Sequence, residues 1–207
     1  MSYDPLHSIS PGEGLDHVDS YWAATAGPSP GDDGRLQSPI ETDVAIIGGG
    51  YTGLSCAFHL AKRYGVRPVV LEANRPVWGC SGRNGSFAGP ALGRVSLSEW
   101  TARWGEVGAR SLWAEAVSAV ETVRSLIKEG NIDCDVQPDG RMRVAHAHST
   151  VKKLEEDASV LRSFGTEFQM LTPSEIGEKH FKGKEAHAAL RTTYGFVLHR
   201  MKLGYGI

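Results

Sequence analysis

The stretch from Asp43 to Glu72 constrains this chain more than any other. Four apolar residues, Val44 to Ile47, run directly into Gly48-Gly-Gly-Tyr-Thr-Gly53. This is a G-x-G-x-x-G spacing, and an acid, Glu72, follows Gly53 after about 20 residues. A buried strand, a glycine turn, a helix and a second strand ending in a carboxylate make a βαβ unit of the dinucleotide-binding type. Gly48 allows the tight turn out of the strand, and Gly50 lets backbone approach a pyrophosphate. Gly53 lets the helix lie close to the strand. The helix N-terminus then offers free N–H groups and a positive dipole end to phosphates. Ala57, Leu60 and Ala61 continue the helix at sheet-facing spacing, and Val69-Val-Leu71 reads as a short buried strand. Glu72 is placed to accept hydrogen bonds from a ribose diol, and its charge disfavours a 2′-phosphate, so NADP is the least favoured ligand.

The next loop narrows the choice of dinucleotide. Residues 78–90 read Trp-Gly-Cys-Ser-Gly-Arg-Asn-Gly-Ser-Phe-Ala-Gly-Pro, with four glycines and one cation. Taken alone, such a loop is ordinary surface chain. Behind a complete dinucleotide fingerprint, it describes backbone wrapped closely around something anionic or planar.

With these residues in view, the chain resembles the FAD-dependent oxidoreductases of the D-amino-acid oxidase type, in particular the gamma-glutamylputrescine oxidase-like members. The resemblance rests on Gly48-Gly-Gly-Tyr-Thr-Gly-Leu54, the Val-Leu-Glu72 strand end and Gly79-Cys-Ser-Gly-Arg-Asn-Gly85, with a looser match in Tyr21-Trp-Ala-Ala-Thr-Ala26. It implies an α/β fold: a Rossmann-like FAD-binding βαβ unit followed by the start of an α+β substrate domain, incomplete. It implies FAD as cofactor and oxidation of a C–N bond in a small-molecule amine or amino acid. Carried over residue by residue, Gly48, Gly50, Tyr51, Thr52 and Gly53 form the pyrophosphate cradle, and Glu72 holds the adenosine ribose. Ala73 and Arg75 lie near the adenine end. Ser81, Arg83, Asn84 and Gly85 lie along the pyrophosphate, ribityl and flavin side. Ser86 stands where members of the family often have a further glycine. No catalytic residue is named by the resemblance, because in flavin chemistry the cofactor performs the redox step and the protein orients it.

At 207 residues the chain is short beside the resembled enzymes. The expectation is therefore an N-terminal portion. It would comprise an arm at 1–42, an FAD-binding segment at 43–95, a helical excursion with a partial substrate domain at 96–194, and the start of a return strand at 195–207. Two other readings stay open: a truncated remnant that binds FAD weakly or not at all, and an NAD-dependent dehydrogenase. The dehydrogenase fares worst, because its fold would continue with alternating strands and helices.

Composition mainly excludes. A formal net charge of −2, with 22 basic and 24 acidic residues, offers no electrostatics for nucleic acid or membrane. No run approaches the roughly 18 apolar residues of a membrane span. With no signal-peptide pattern at the start, a cytoplasmic location is expected. Cys56, Cys80 and Cys134 are odd in number and widely spaced, which suggests neither a disulfide framework nor a metal cluster. Cys56 reads as a small packing residue. His146 and His148 lack further ligands at convincing spacing and read as surface residues. His199 is the one histidine singled out, because it lies in the family-like run Tyr194–Leu203, read as a strand.

Beyond the glycine loop the pattern turns helical. Ser98 is expected to cap Glu99–Trp104, and a longer helix runs from about Ala109 to Lys128. Its apolar face is Leu112, Ala116, Val117, Val120, Val123 and Ile127. Trp100, Trp104 and Trp113 read as packing residues. Then follow a turn at Asp139-Gly140, a strand at Arg141–Ala145, a helix at Val151–Phe164, a strand at Glu167–Leu171 and a short helix from Pro173.

Overall fold

A computed structural model of the protein describes residues 12–91 and 95–207. The first eleven residues of the expected arm, and residues 92–94, lie outside the described part. The chain forms two compact units. Residues up to Ser86, with Leu126–Val136 and Leu198–Ile207, make the first, while Phe87–Ser125 and Gln137–Val197 make the second.

In the first unit, β1 (Ala45–Ile47) pairs in parallel with β2 (Val69–Leu71), Ile46 lying opposite Val70. The connecting helix must cross over, as parallel pairing requires. The helix preceding β1 in the chain is the single turn α1 (Tyr21–Thr25), capped by Ser20, whose hydroxyl accepts from Ala23 N at 3.2 Å. The crossover is α2 (Tyr51–Tyr64), ended by Gly65 at φ 67 with its N–H on Ala61 O. A short 3₁₀ turn, Cys80–Gly82, lies in the glycine loop. Ala26, Val77 and Met201 form a small buried cluster, with Trp22, Tyr51, Leu54 and Tyr205 packed on it.

The second unit is built on an antiparallel sheet. In chain order its elements are β3 (Phe87–Ala88), α3 (Leu97–Glu129, whose last turn belongs to the first unit), β4 (Arg141–Ala145), α4 (His148–Ser163), β5 (Phe168–Leu171), α5 (Pro173–Lys179), β6 (Ala188–Thr192) and β7 (Phe196–Val197). The sheet runs β4-β6-β5, and β3 pairs separately with β7. Period-two alternation divides the residues of β4. Met142 and Val144 pack with Leu171, Ile176 and Ala189. Ala145 joins the larger cluster of Trp100, Trp113, Leu161 and Leu190. Asp157, on α4, is wholly buried; it accepts from Ser98 N at 3.1 Å and pairs with Arg143 at 2.7 Å.

As the two expected runs require, α3 is two helices, meeting at Gly105, whose φ of 69 and ψ of 173 interrupt the helical backbone. Several other expectations meet a different arrangement. The cap of the first helix is Ser96 rather than Ser98. Ser96 N donates to Glu99 Oε2 at 2.8 Å, and Glu99 N donates back to Ser96 Oγ at 3.4 Å, a reciprocal pair. Trp100 and Trp113 are buried as packing residues, but Trp104 is half exposed because it sits beside the break. Cys56 faces solvent on α2 rather than packing. The run Tyr194–Leu203 is strand only at Phe196–Val197 and then becomes the helix α6 (Arg200–Gly206). His199 is the reason: its Nδ1 accepts from Lys202 N at 3.2 Å and starts the helix. Among the described residues no helix is long and apolar enough to cross a membrane, and no group of three or more potential ligands could hold a metal ion.

The Ser96–Glu99 pair yields a pH prediction. Its hydrogen bonds from Ser96 hold the Glu99 carboxyl at about 2, below its ordinary 4.5. A depressed folded-state value means the stabilisation is complete above pH 4.5 and is lost as pH falls toward about 2. Glu99→Gln should flatten the acid limb of a stability–pH curve in that interval and change nothing near neutrality beyond a small cap loss. Equal acid limbs in both proteins would contradict the assignment.

Candidate cofactor site

The first unit assembles most of the residues named from the fingerprint. Gly48 leaves β1 at φ 101, a left-handed value that favours glycine, and its N–H bonds Leu71 O at 2.7 Å. Gly53 tolerates no side chain: a Cβ there would lie 2.0 Å from Gly48 O. This is the close helix–strand approach that the motif predicts. Gly50 caps α2 with extended backbone, and a Cβ there would sit 3.0 Å from Ser81 Oγ.

Two side chains tie the turn to the rest of the loop. Glu72 Oε2 accepts from Gly49 N at 2.7 Å, and its Oε1 accepts from Asn74 N at 3.0 Å. Each carboxylate oxygen keeps a further lone pair, so Glu72 retains capacity for a hydroxyl donor. Ser81 Oγ accepts from Tyr51 N at 2.9 Å, the first N–H of α2. Asn84 bridges the loop, its Nδ2 donating to Ser81 O at 2.8 Å and its Oδ1 accepting from Ser86 N at 2.8 Å. The fingerprint glycines, Tyr51, Glu72, Ser81 and Asn84 are thus one connected network.

Arg83 is the exception in kind. Its guanidinium stacks 4.1 Å above the Trp78 ring, yet its Nε and Nη2 are buried and meet no acceptor among the described residues. That is costly, since these two nitrogens have lost water and gained no acceptor. Thr52 and Gly85 are exposed beside this network. Ala73 and Arg75 are drawn elsewhere. Ala73 O accepts from Gly14 N at 2.8 Å, and Arg75 Nε donates to Asp16 at 3.2 Å, so a segment of the arm lies along them.

The glycine loop is also strained. Val77, wholly buried, holds φ 56, and Ser86 holds φ 64. Both values lie in the left-handed region that L-residues avoid. Ser86 adds a buried hydroxyl with no partner among the described residues. The position therefore suits glycine on physical grounds. Ser86→Gly should raise unfolding free energy by about 1 kcal/mol in a urea titration. The relieved strain and the removed orphan hydroxyl outweigh glycine's entropy cost. A loss of stability would show that the hydroxyl has a partner.

Sequence reasoning missed the part that α6 plays. Arg200 Nε donates to Gly82 O at 2.8 Å, and Tyr51 OH donates to Arg200 O at 2.6 Å. Burial pushes the Tyr51 phenol up to about 12, so it remains a donor at all ordinary pH. A Cβ at Gly204 would lie 2.2 Å from Val77 Cγ1, so α6 approaches as closely as α2 does. His199 Nε2 lies 3.0 Å from Thr25 Oγ1, and Arg200 stacks 4.5 Å from Trp22. The pair of small residues in α6, Gly204 and Gly206, was the available signal. Reading the run as a strand hid it.

A parallel β1–β2 pair with its glycine turn, followed in the same chain by an antiparallel sheet with helices, is the architecture of a dinucleotide-fold unit with a second, mixed unit. Residues 43–206 match the family model described as FAD dependent oxidoreductase, DAO. The chain belongs to that family. It is 34% identical over 193 residues to the gamma-glutamylputrescine oxidoreductase of Escherichia coli strain K12, covering 92% of this chain and 44% of that protein. It is 32% identical over 173 residues to the probable oxidoreductase OrdL of Rhizobium meliloti, covering 81% and 39%. Among solved structures, glycine oxidase from Geobacillus kaustophilus superposes with a TM-score of 0.61 at 22% identity, covering 80% of this chain and 42% of that one. L-proline dehydrogenase from P. horikoshii gives 0.58 at 20% identity, covering 82% and 41%. The last two speak for the fold alone. The chain spans less than half the length of each of these four proteins.

Proposed function

We propose that the first unit holds FAD and that the protein serves oxidation of a C–N bond in an amine or amino acid. The observation that carries the cofactor reading is Arg83, a half-buried cation whose Nε and Nη2 are buried with no acceptor among the described residues, two residues beyond the serine that accepts from the first N–H of α2. A pyrophosphate supplies the missing acceptor. Gly50 fits the same reading, because it leaves the extended backbone at the start of α2 bare where a Cβ would crowd Ser81 Oγ at 3.0 Å. When bound, FAD supplies the hydride acceptor. The protein's part is positional: Arg83 and the start of α2 take the phosphates, Glu72 takes ribose hydroxyls, and Ser81 with Asn84 keeps the loop in shape. The substrate class follows the gamma-glutamylputrescine oxidoreductase relative, whose name specifies a nitrogen-bearing compound.

The test is a titration of flavin fluorescence with the purified chain. FAD should bind, and FMN, which lacks the adenylate that Glu72 and the βαβ unit read, should bind at least about tenfold more weakly. Equal binding of the two would remove the βαβ unit from recognition.

A further inference from the structure

The second unit contains a cavity of about 370 Å³ that the cofactor reading does not use. Among the described residues, three cations line it: Arg141, Arg143 and Lys153. Trp100 and Trp113 form aromatic walls, and Thr192 adds a hydroxyl. The period of β4 puts Arg141 and Arg143 on one face, since Met142 and Val144 pack on the other.

The three cations differ in what they already hold. Arg143 is spent on the buried Asp157 at 2.7 Å, and Lys153 reaches Glu99 at 3.5 Å. Arg141 is half-buried and has no hydrogen-bond or ion-pair partner among the described residues. Burial and the neighbouring Arg143 charge both lower its pKa, the direction expected for a cation lacking an anion. The indole Nε1 of Trp100, almost wholly buried, also has no acceptor among the described residues. Donors without acceptors between aromatic walls describe a site for a molecule with an anionic end and an apolar body.

We propose that this cavity binds a small organic carboxylate, with the Arg141 guanidinium taking the carboxylate through paired N–H donors and the tryptophans covering the apolar body. The cavity is larger than an inorganic ion needs, and its walls are aromatic, which favours an organic acid over free phosphate. The site stands on the second unit alone, so it holds whether or not the first unit retains flavin.

Tryptophan fluorescence reads occupancy directly, because two of the walls are indoles. The full chain is titrated with 4-phenylbutyrate and with its neutral isostere 4-phenylbutanamide. The acid should give a saturable change with at least about tenfold higher affinity than the amide, the margin expected for one charge-assisted pair. Arg141→Gln should abolish that margin. Arg141→Lys should keep part of it, since charge survives while the paired donors do not. Arg191→Gln, on β6, should leave it unchanged. If Arg141→Gln fails to fold by circular dichroism, the acid–amide margin in the unmodified chain and its reduction in Arg141→Lys decide. Equal affinities of acid and amide, no saturable binding of the acid at millimolar concentration, displacement of the acid by equimolar inorganic phosphate, or an unchanged margin in either Arg141 variant would overturn the proposal.

Discussion

Gly53→Ala should cost roughly 3 kcal/mol of unfolding free energy and abolish flavin retention. A methyl group at this position would sit 2.0 Å from Gly48 O and 3.1 Å from Ile46 Cγ2. Both neighbours belong to β1 and its turn, and a backbone oxygen cannot swing aside as a lysine tip would. Relief requires α2 to lift off the strand, which pulls Tyr51 N from Ser81 Oγ and opens the turn where the pyrophosphate is proposed to lie. Equilibrium denaturation and flavin binding should therefore fail together. Gly65→Ala provides the contrast: it sits at φ 67 with nothing near its Cβ. That change should cost only the left-handed strain of about 1 kcal/mol and leave binding intact. A Gly53→Ala protein with unchanged stability would mean that the helix and strand do not approach as described.

Arg83→Met should do the opposite to stability. The substitution keeps much of the apolar stem that covers Trp78 and removes a half-buried charge with two donors unsatisfied among the described residues, so the flavin-free protein should be as stable as before or slightly more so. Affinity for FAD should fall by roughly 10- to 100-fold, the usual worth of a charge-assisted hydrogen-bonding group lost from a bound anion. The split is the informative part. Affinity lost at constant stability marks a residue held in readiness for a ligand. Lost stability in the flavin-free chain would instead mark Arg83 as a structural cation whose partner lies within the protein.

How legible was this in the residues? The βαβ unit was nearly complete in the text of the chain, because its glycines are dictated by contacts within the one stretch from Asp43 to Glu72. Gly48 meets Leu71, and Gly53 meets Gly48. Ser81 and Tyr51 were each named through resemblance, but the bond between them spans thirty residues and was not foreseen, since nothing in the local pattern announces which serine finds a helix N-terminus. Long helices with a regular apolar face were readable to within a turn, including the division of α3, where Gly105 separates two periodic runs. Caps were harder, because Ser96 and Ser98 are equally good candidates and only the reach of Glu99 chooses. The start of α6 was illegible for a related reason. Phe196-Val-Leu reads as strand, and the switch depends on a histidine acting as an N-cap, a role more often filled by serine, threonine, aspartate or asparagine. Arg83 and Arg141 are the clearest lesson. Their residue type was visible, but the lack of a partner is a property of three-dimensional packing that no spacing reveals.

The central claim is that this chain, as it stands, builds enough of a dinucleotide site to hold FAD. The most direct test is a visible absorbance spectrum of the purified protein after incubation with excess FAD and thorough desalting. The account predicts flavin bands persisting at near-stoichiometric ratio to protein, and lost in Gly53→Ala. A colourless, folded protein would contradict it, leaving membership of the family intact and the cofactor site unsupported.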